Sequence, residues 1–298
     1  MKKIISFIAI MLCAALMLCG CTTTQNTSSS TAATVTGTSE TPIDGSFRTS
    51  ILNVGKADAI VLKTENRCVV IDAGEKGDGK AVLAKLAEYG VSTVDYLFIT
   101  HFDQDHVGGA AKVINNMSIG QIITPNYEGN NSEYTKFIEA CAEHSITPTR
   151  LTETMTITLD DVTLEVYPPL QSSYSEDDND YSLVIKATHG SNVMLFTGDA
   201  ESERLSELSG QIGDLSAAFL KVPHHGRYST GLDTFIKAVS PKYAVITCSE
   251  DEGAEDKVLS LLSGANTFLT TGGDIEVVSN GKEMSVTQTP ASTASPSA

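Results

Sequence analysis

The stretch "THFDQDHVGG", Thr100 to Gly109, holds His101, Asp103, Asp105 and His106 within six consecutive positions. Imidazole and carboxylate groups are the usual ligands of zinc, manganese and iron. They follow a buried-strand pattern, "DYLFI", which gives them a rigid support. Gly108 and Gly109 then allow backbone to pass close to a metal or a substrate. Asp105 and His106 fall near the start of the next helix. The competing reading is an Asp-rich capping loop with incidental histidines, and the density of ligand types argues against it. No Glu closes a twelve-residue loop, so an EF-hand is excluded.

Two more clusters follow apolar strands. In "KVPHHGRYS", Lys221 to Ser229, one of His224 and His225 suits a metal while the other faces substrate or packs. In "LFTGDA" a strand ends on Asp199, and Gly198 removes bulk beside it. If "HGSN" is a hairpin turn, positions 182 and 199 fall opposite each other. The segment Asp177–Ser182, with Asn179 and Ser182, then joins Asp199 at one end. His189 lies about six residues away, roughly 20 Å at strand rise, and reads as a turn residue. Asp72 closes "VVIDAG" and suits hydrogen-bond support of ligands. His144 reads as a helix C-terminal cap. Lys221 and Arg227 are candidate phosphate contacts, with solvated surface charge as the alternative.

The elements that must position these residues are legible from periodicity. "FRTSILNV", "DAIVLKT", "RCVVIDAG" and "VDYLFIT" read as strands, and "KAVLAKLAEYG" and "NSEYTKFIEACAEHS" as amphipathic helices. "MTITLDDVTLEVYPP" and "YSLVIKATHGSNVMLFTGDA" read as hairpins. Helices near 200–209, 231–239 and 254–263 alternate with strands "AAFLKV", "YAVITC" and "TFLT". Strands interleaved with helices in both halves favour one α/β domain of two packed mixed sheets with helices outside.

The 298 residues carry 41% hydrophobic and 19% charged side chains, an ordinary globular balance. A formal charge of −17 argues against a basic nucleic-acid-binding surface. It leaves phosphate substrates open, because bound divalent cations reverse the local field. Residues 1–20 resemble a bacterial lipoprotein signal ending at "LCGC", with Cys21 as the lipidated residue; an uncleaved membrane anchor is the alternative. Both place the domain outside the cytoplasm, at the membrane. Losing Lys2 and Lys3 takes the charge from −17 to −19. Residues 21–45 and 288–298, rich in Thr, Ser and Ala, read as a disordered tether and tail around a domain at 46–287. Cys68, Cys141 and Cys248 make no disulfide framework and read as packing residues.

Six ordered segments, "ILNVGKADAIVL", "VVIDAG", "LFITHFDQDHVGG", "NDYSLVI", "LFTGDAE" and "LKVPHHGRYST", resemble the metallo-β-lactamase superfamily. The likeness is greatest to the ComEC-like branch, the hydrolase domain of competence DNA-uptake proteins. It implies a four-layer αββα sandwich with a dinuclear site, Asp199 bridging the two ions. It further implies His101 and Asp103 on one ion with help from Asn179–Ser182, and Asp105, His106 and His225 on the other, with His224 facing substrate. Asp103 replaces the second His of the superfamily's commonest motif, and the more oxygen-rich ligand set admits Mn²⁺ beside Zn²⁺. "GKAD" stands where "GQGD" is usual, keeping Asp58, and Arg227 stands where Ser is common.

Such a site implies a hydroxide held between two divalent ions for in-line attack, with Asp105 also able to accept a proton. The reading is a metal-dependent phosphodiesterase or nuclease at the cell surface. Its alternatives are a phosphoester hydrolase on cell-wall polymers such as phosphocholine-decorated teichoic acid, a β-lactam hydrolase, and a non-catalytic surface protein keeping the fold. Tryptophan is absent, so any base stacking rests on Tyr and Phe.

Overall fold

Short β-branched runs broken by Gly, Asp and Asn open the domain: β1 (Phe47–Ile51), β2 (Ala59–Lys63) and β3 (Cys68–Ala73) pair antiparallel in sequence order. The computed structural model describes residues 37–175 and 178–290. Through α1 (Gly79–Glu88) the chain crosses to β4 (Thr93–Phe98), parallel to β3. Through α2 (Gln104–Val107) and α3 (Ala110–Ile114) it reaches β5 (Ser118–Pro125), and through α4 (Ser132–Glu143) it reaches β6 (Thr149–Leu151), again in parallel.

The second sheet begins as an antiparallel meander: β7 (Met155–Leu159), β8 (Val162–Tyr167), β9 (Val184–His189) and β10 (Asn192–Phe196). It continues in parallel through α5 (Ser202–Gln211), β11 (Phe219–Lys221), α6 (Leu232–Val239), β12 (Tyr243–Ile246), α7 (Asp256–Leu261) and β13 (Asn266–Leu269). The hairpin β14 (Ile275–Ser279) and β15 (Met284–Gln288) returns to the first sheet beside β1. The sheet orders are β15-β14-β1-β2-β3-β4-β5-β6 and β13-β12-β11-β10-β9-β8-β7.

Three apolar layers hold this together. Phe47, Leu164, Phe196, Phe219 and Val277 fill the space between the sheets. Val82, Leu86, Val113 and Phe137 pack the first helices onto the outer face of one sheet, and Leu205, Phe235 and Val258 pack the later helices onto the other. The helix–sheet–sheet–helix order is the one expected. The chain switches from antiparallel to parallel pairing once in each sheet, and the parallel strands deliver their carboxyl ends to a common rim.

The structure corrects the sequence reading in three places. Strand β5 lies in "SIGQIITP", where polar residues mask the strand pattern. Residues 37–45 belong to the folded part rather than to a tether: Thr38 N donates to Asn266 Oδ1 (2.8 Å) and Glu40 N to Val286 O (2.9 Å), while Tyr243 OH donates to Glu40 at 2.7 Å. Composition measures apolar burial and overlooks a polar segment fixed by hydrogen bonds along a sheet edge. At the other end the fold extends through Thr289, whose N–H donates to Asp274 O (2.9 Å). The expected signal at 1–20, its Cys21, the rest of the expected tether up to residue 36, Asp177 of the Asp177–Ser182 segment and residues from 291 onward lie outside the described residues. Among the described residues no helix is long and apolar enough to cross a membrane.

Candidate metal centre

Each of two buried histidines is fixed by its Nδ1, which leaves Nε2 free. Asp72, in the left-handed region at φ 57°, accepts from Thr100 N (2.8 Å) and Oγ1 (2.6 Å), and its Oδ2 lies 2.8 Å from His106 Nδ1. His225 Nδ1 lies 2.9 Å from Thr247 Oγ1 and 3.1 Å from Thr247 O, and Thr247 in turn donates to Asp58 Oδ1 (2.6 Å). Such outer partners set ring orientation and leave the other nitrogen's lone pair for a metal.

The free ends converge. His106 Nε2 lies 3.3 Å from His225 Nε2 and 3.3 Å from Asp199 Oδ2. His225 Nε2 lies 3.0 Å from Asp199 Oδ2 and 3.3 Å from Asp105 Oδ2. Ligand atoms of these four residues all fall within 4.8 Å of one another. The edge of a tetrahedron around a zinc-sized ion with bonds of 2.0–2.1 Å is about 3.3 Å, so the spacing fits a metal cage.

Further unsatisfied atoms belong to residues linked to Asp199 through Ser182 or through neighbours in sequence. Among the described residues, His101 Nε2, Asn179 Oδ1 and Asp199 Oδ1 are buried without a hydrogen-bond partner, and Asp103 Oδ2 lies 3.6 Å from His101 Nε2. Buried acceptors are normally satisfied, so these atoms suit a cation too. Ser182 plays a supporting part: its Oγ accepts from Asp199 N (3.0 Å) and lies 3.5 Å from His101 Nδ1. Positions 182 and 199 extend the β9–β10 register, where Asn192 pairs with His189 and Phe196 with Ile185, as the hairpin reading requires. Asp180 and Arg204 went unnoticed in the sequence. Asp180 Oδ1 accepts from Glu201 N and Arg204 N at the start of α5, and the buried Arg204 binds the carbonyls of Ser182 and Tyr167. Together they clamp the 178–182 turn that carries Asn179.

Charge follows geometry. Burial opposes ionisation of Asp199, but His225, His106 and Lys221 hold its carboxyl well below the usual range. Burial likewise opposes a charged His106, yet Asp199 and Asp72 raise it well above an ordinary imidazole; Asp199 and Asp105 raise His225 in the same way. Asp105, despite burial, is held low by its contact with His225 and by His106. Lys56, from the "GKAD" segment, ion-pairs with Asp105 Oδ2 at 3.0 Å.

Lys221 is not placed to touch a substrate. It is fully buried, with Nζ 2.5 Å from Asp58 Oδ2 and 3.6 Å from Asp199 Oδ1. Its strand is buried throughout, so the side chain that runs to the rim stays beneath it. Arg227 remains partly exposed, 3.5 Å from Glu252 Oε1. The glycines of the opening motif allow a close approach to protein backbone. A Cβ on Gly109 would lie 2.0 Å from Ala73 O, and one on Gly108 would lie 2.6 Å from Lys76 N, so both seat the ligand loop on the backbone after β3. His189 is remote from the centre, bonded to Ser279 Oγ (2.9 Å) and Asp161 Oδ2 (3.0 Å). His144 caps α4, and Cys68, Cys141 and Cys248 are free and buried.

His224 and His225 diverge because both are left-handed, at φ 46° and 50°. The turn sends His225 inward, its side chain fully covered, and leaves His224 22% exposed. His224 Nδ1 lies 2.5 Å from Glu201 Oε1, a close contact without the alignment of a hydrogen bond. Sequence reasoning missed Glu201, although it follows Asp199 by two residues. An aromatic wall stands beside Asp103: Tyr127 OH accepts from Phe102 N (2.7 Å), and its ring stacks on Tyr181 at 4.0 Å.

Residues 52–249 match the model of the Metallo-beta-lactamase superfamily. The chain is 26% identical over 186 residues to ComE operon protein 3 of Bacillus subtilis (strain 168), covering 61% of this chain and 24% of that protein. It is 27% identical over 198 residues to Competence protein ComA of Neisseria gonorrhoeae, covering 66% and 26%. The chain thus matches about a quarter of the length of these relatives. Among solved structures, the metallo-beta-lactamase fold protein YhfI from Bacillus subtilis superposes with a TM-score of 0.52 at 12% identity, covering 77% of this chain and 99% of that one, which supports the fold. With its family model spanning the rim residues from Asp58 to Thr247, this chain belongs to the metallo-β-lactamase superfamily.

Proposed function

We propose that this hydrolase is a phosphodiesterase acting on nucleic acid outside the cytoplasm, held at the membrane through Cys21. The observation that carries the reading is the four-donor cage of Asp105, His106, Asp199 and His225, with His101 Nε2 and Asn179 Oδ1 also buried and unpartnered. The competence proteins among its relatives favour DNA as the substrate class. Two divalent ions, Zn²⁺ or Mn²⁺, would supply an activated water and offset charge developing on a phosphoryl oxygen.

The chain's own residues do the rest. Asp72 and Thr247 fix the two inner imidazoles so that they need not reorganise. Asp58 and Lys221 balance charge beneath Asp199. His224, open to solvent and held by Glu201, is placed to give a proton to a leaving oxygen.

The test combines metal content with turnover. The purified protein should hold about two ions per chain and hydrolyse bis-p-nitrophenyl phosphate and single-stranded DNA. Asp199→Ala should lose both metal and turnover while its circular dichroism is unchanged. Absence of bound metal, or turnover confined to a cephalosporin or a phosphocholine ester, would overturn the reading.

A further inference from the structure

One surface of this acidic chain has the opposite sign. Lys76, Lys80, Lys112 and Lys136 line a groove of about 590 Å³, four of the chain's 20 basic residues at a single site. All four are exposed. They come from the loop after β3, from α1, from α3 and from α4, so only the tertiary fold gathers them. Lys136 pairs with Glu133 at 2.6 Å; among the described residues, Lys76, Lys80 and Lys112 form no ion pair.

The groove also borders the metal loop. Gly108, on its wall, lies two residues beyond His106 and packs against Lys76 N. Lys80 lies in the first turn of α1 and Lys136 near the start of α4. In parallel crossovers the helix starts lie at the edge where the strands end, which here is the edge carrying the ligands.

A cluster of unpaired ammonium groups repels itself and is relieved by a polyanion, whereas the remaining surface of a −17 chain repels one. Concavity and the lack of any apolar side chain larger than Ala111 favour a strand over a membrane face. The exposed large hydrophobic among the described residues, Leu170, is not part of the groove. No aromatic side chain lines it, so contact would be to phosphates without base readout.

Building on the phosphodiesterase reading, we infer that this groove seats the phosphate backbone of a single-stranded nucleic acid whose scissile bond lies at the metal centre. The groove confers affinity for polymer and is indifferent to small diesters and to base sequence.

The test is anisotropy of a fluorescein-labelled oligo(dT) with the full chain in EDTA, so that binding is read without turnover. A triple variant, Lys76→Gln, Lys80→Gln and Lys112→Gln, is compared with a control carrying Lys237→Gln, Lys242→Gln and Lys282→Gln, which removes the same charge elsewhere. The groove variant should bind about tenfold more weakly or worse, and its salt dependence should fall by about two logarithmic units per decade of salt. The control should match wild type, and metal-loaded groove variant should turn over bis-p-nitrophenyl phosphate normally. Equal losses in both variants, unchanged affinity in the groove variant, or binding to phosphatidylglycerol vesicles in place of oligo(dT) would overturn the inference. Groove-dependent binding with no diester turnover would uphold the groove as the seat of the strand and overturn both the proposed activity and the placing of a scissile bond at the centre.

Discussion

Lys221 Nζ lies 2.5 Å from Asp58 Oδ2, and neither side chain is more than marginally exposed. Burial opposes the charge on Lys221, but Asp58 and Asp199 raise its pKa above the ordinary lysine value. Lys221→Met would strand the Asp58 carboxylate, so we expect urea unfolding to show a loss of about 3–5 kcal/mol. A substrate contact would instead raise KM and leave stability unchanged. Glu201 acts on His224 from the side, so Glu201→Gln should lower kcat about tenfold to a hundredfold with KM and metal content nearly constant. A matching fall in metal content would move Glu201 into the cage itself. Burial pushes the Cys68 and Cys141 thiols up to about 12, and these cysteines should resist iodoacetamide in the native state and react on unfolding.

At the level of elements, the site depends on how closely loops approach. The segment from α2 to α3 lies on the backbone after β3 because residues 108 and 109 lack a Cβ. Gly109→Ala would put a carbon 2.0 Å from Ala73 O. The backbone must shift, at an expected cost of about 1–3 kcal/mol, with weakened metal binding from displaced Asp105 and His106. Calorimetry on the variant checks both, and a wild-type melting temperature would show that the loop packing is slack. The hairpin β9–β10 fixes Ser182 against Asp199 because strand side chains repeat every second residue, and a one-residue slip would turn Asp199 away from the rim.

For the whole molecule, metal, protons and folding are linked. Without metal, His106 and His225 bind protons more tightly folded than unfolded, because Asp199 and its neighbours outweigh burial. That stabilisation is complete below an unfolded imidazole pKa of about 6.5 and is lost as pH rises through the higher folded values. Asp105 and Asp199 shift the other way; their contribution is present above the ordinary carboxylate range and is lost as pH falls through the depressed values. In EDTA the melting temperature should therefore decline as pH rises above about 6.5, while the metal-loaded protein should be flatter there and shed metal in acid. Proton release on metal binding, read by calorimetry in two buffers, should be positive near neutral pH; none would mean that the imidazoles are already neutral.

Local pattern alone determined much of this protein. Ligand types in "HFDQDH", the carboxylate closing "VVIDAG" and the "HGSN" turn lie within single elements, where strand period and turn chemistry decide position. They disclosed the rim, the two packed sheets and the 182–199 pairing. Left to tertiary structure were relations between residues far apart in sequence. Thr247 meets Asp58 across 189 positions, Lys221 finds its counter-ion there, and residues 37–45 find β15. The choice of His225 over His224 rests on a left-handed turn that two identical side chains cannot announce. The net charge of −17 likewise concealed a basic groove, because a sum over the chain carries no information about which lysines the helices bring together.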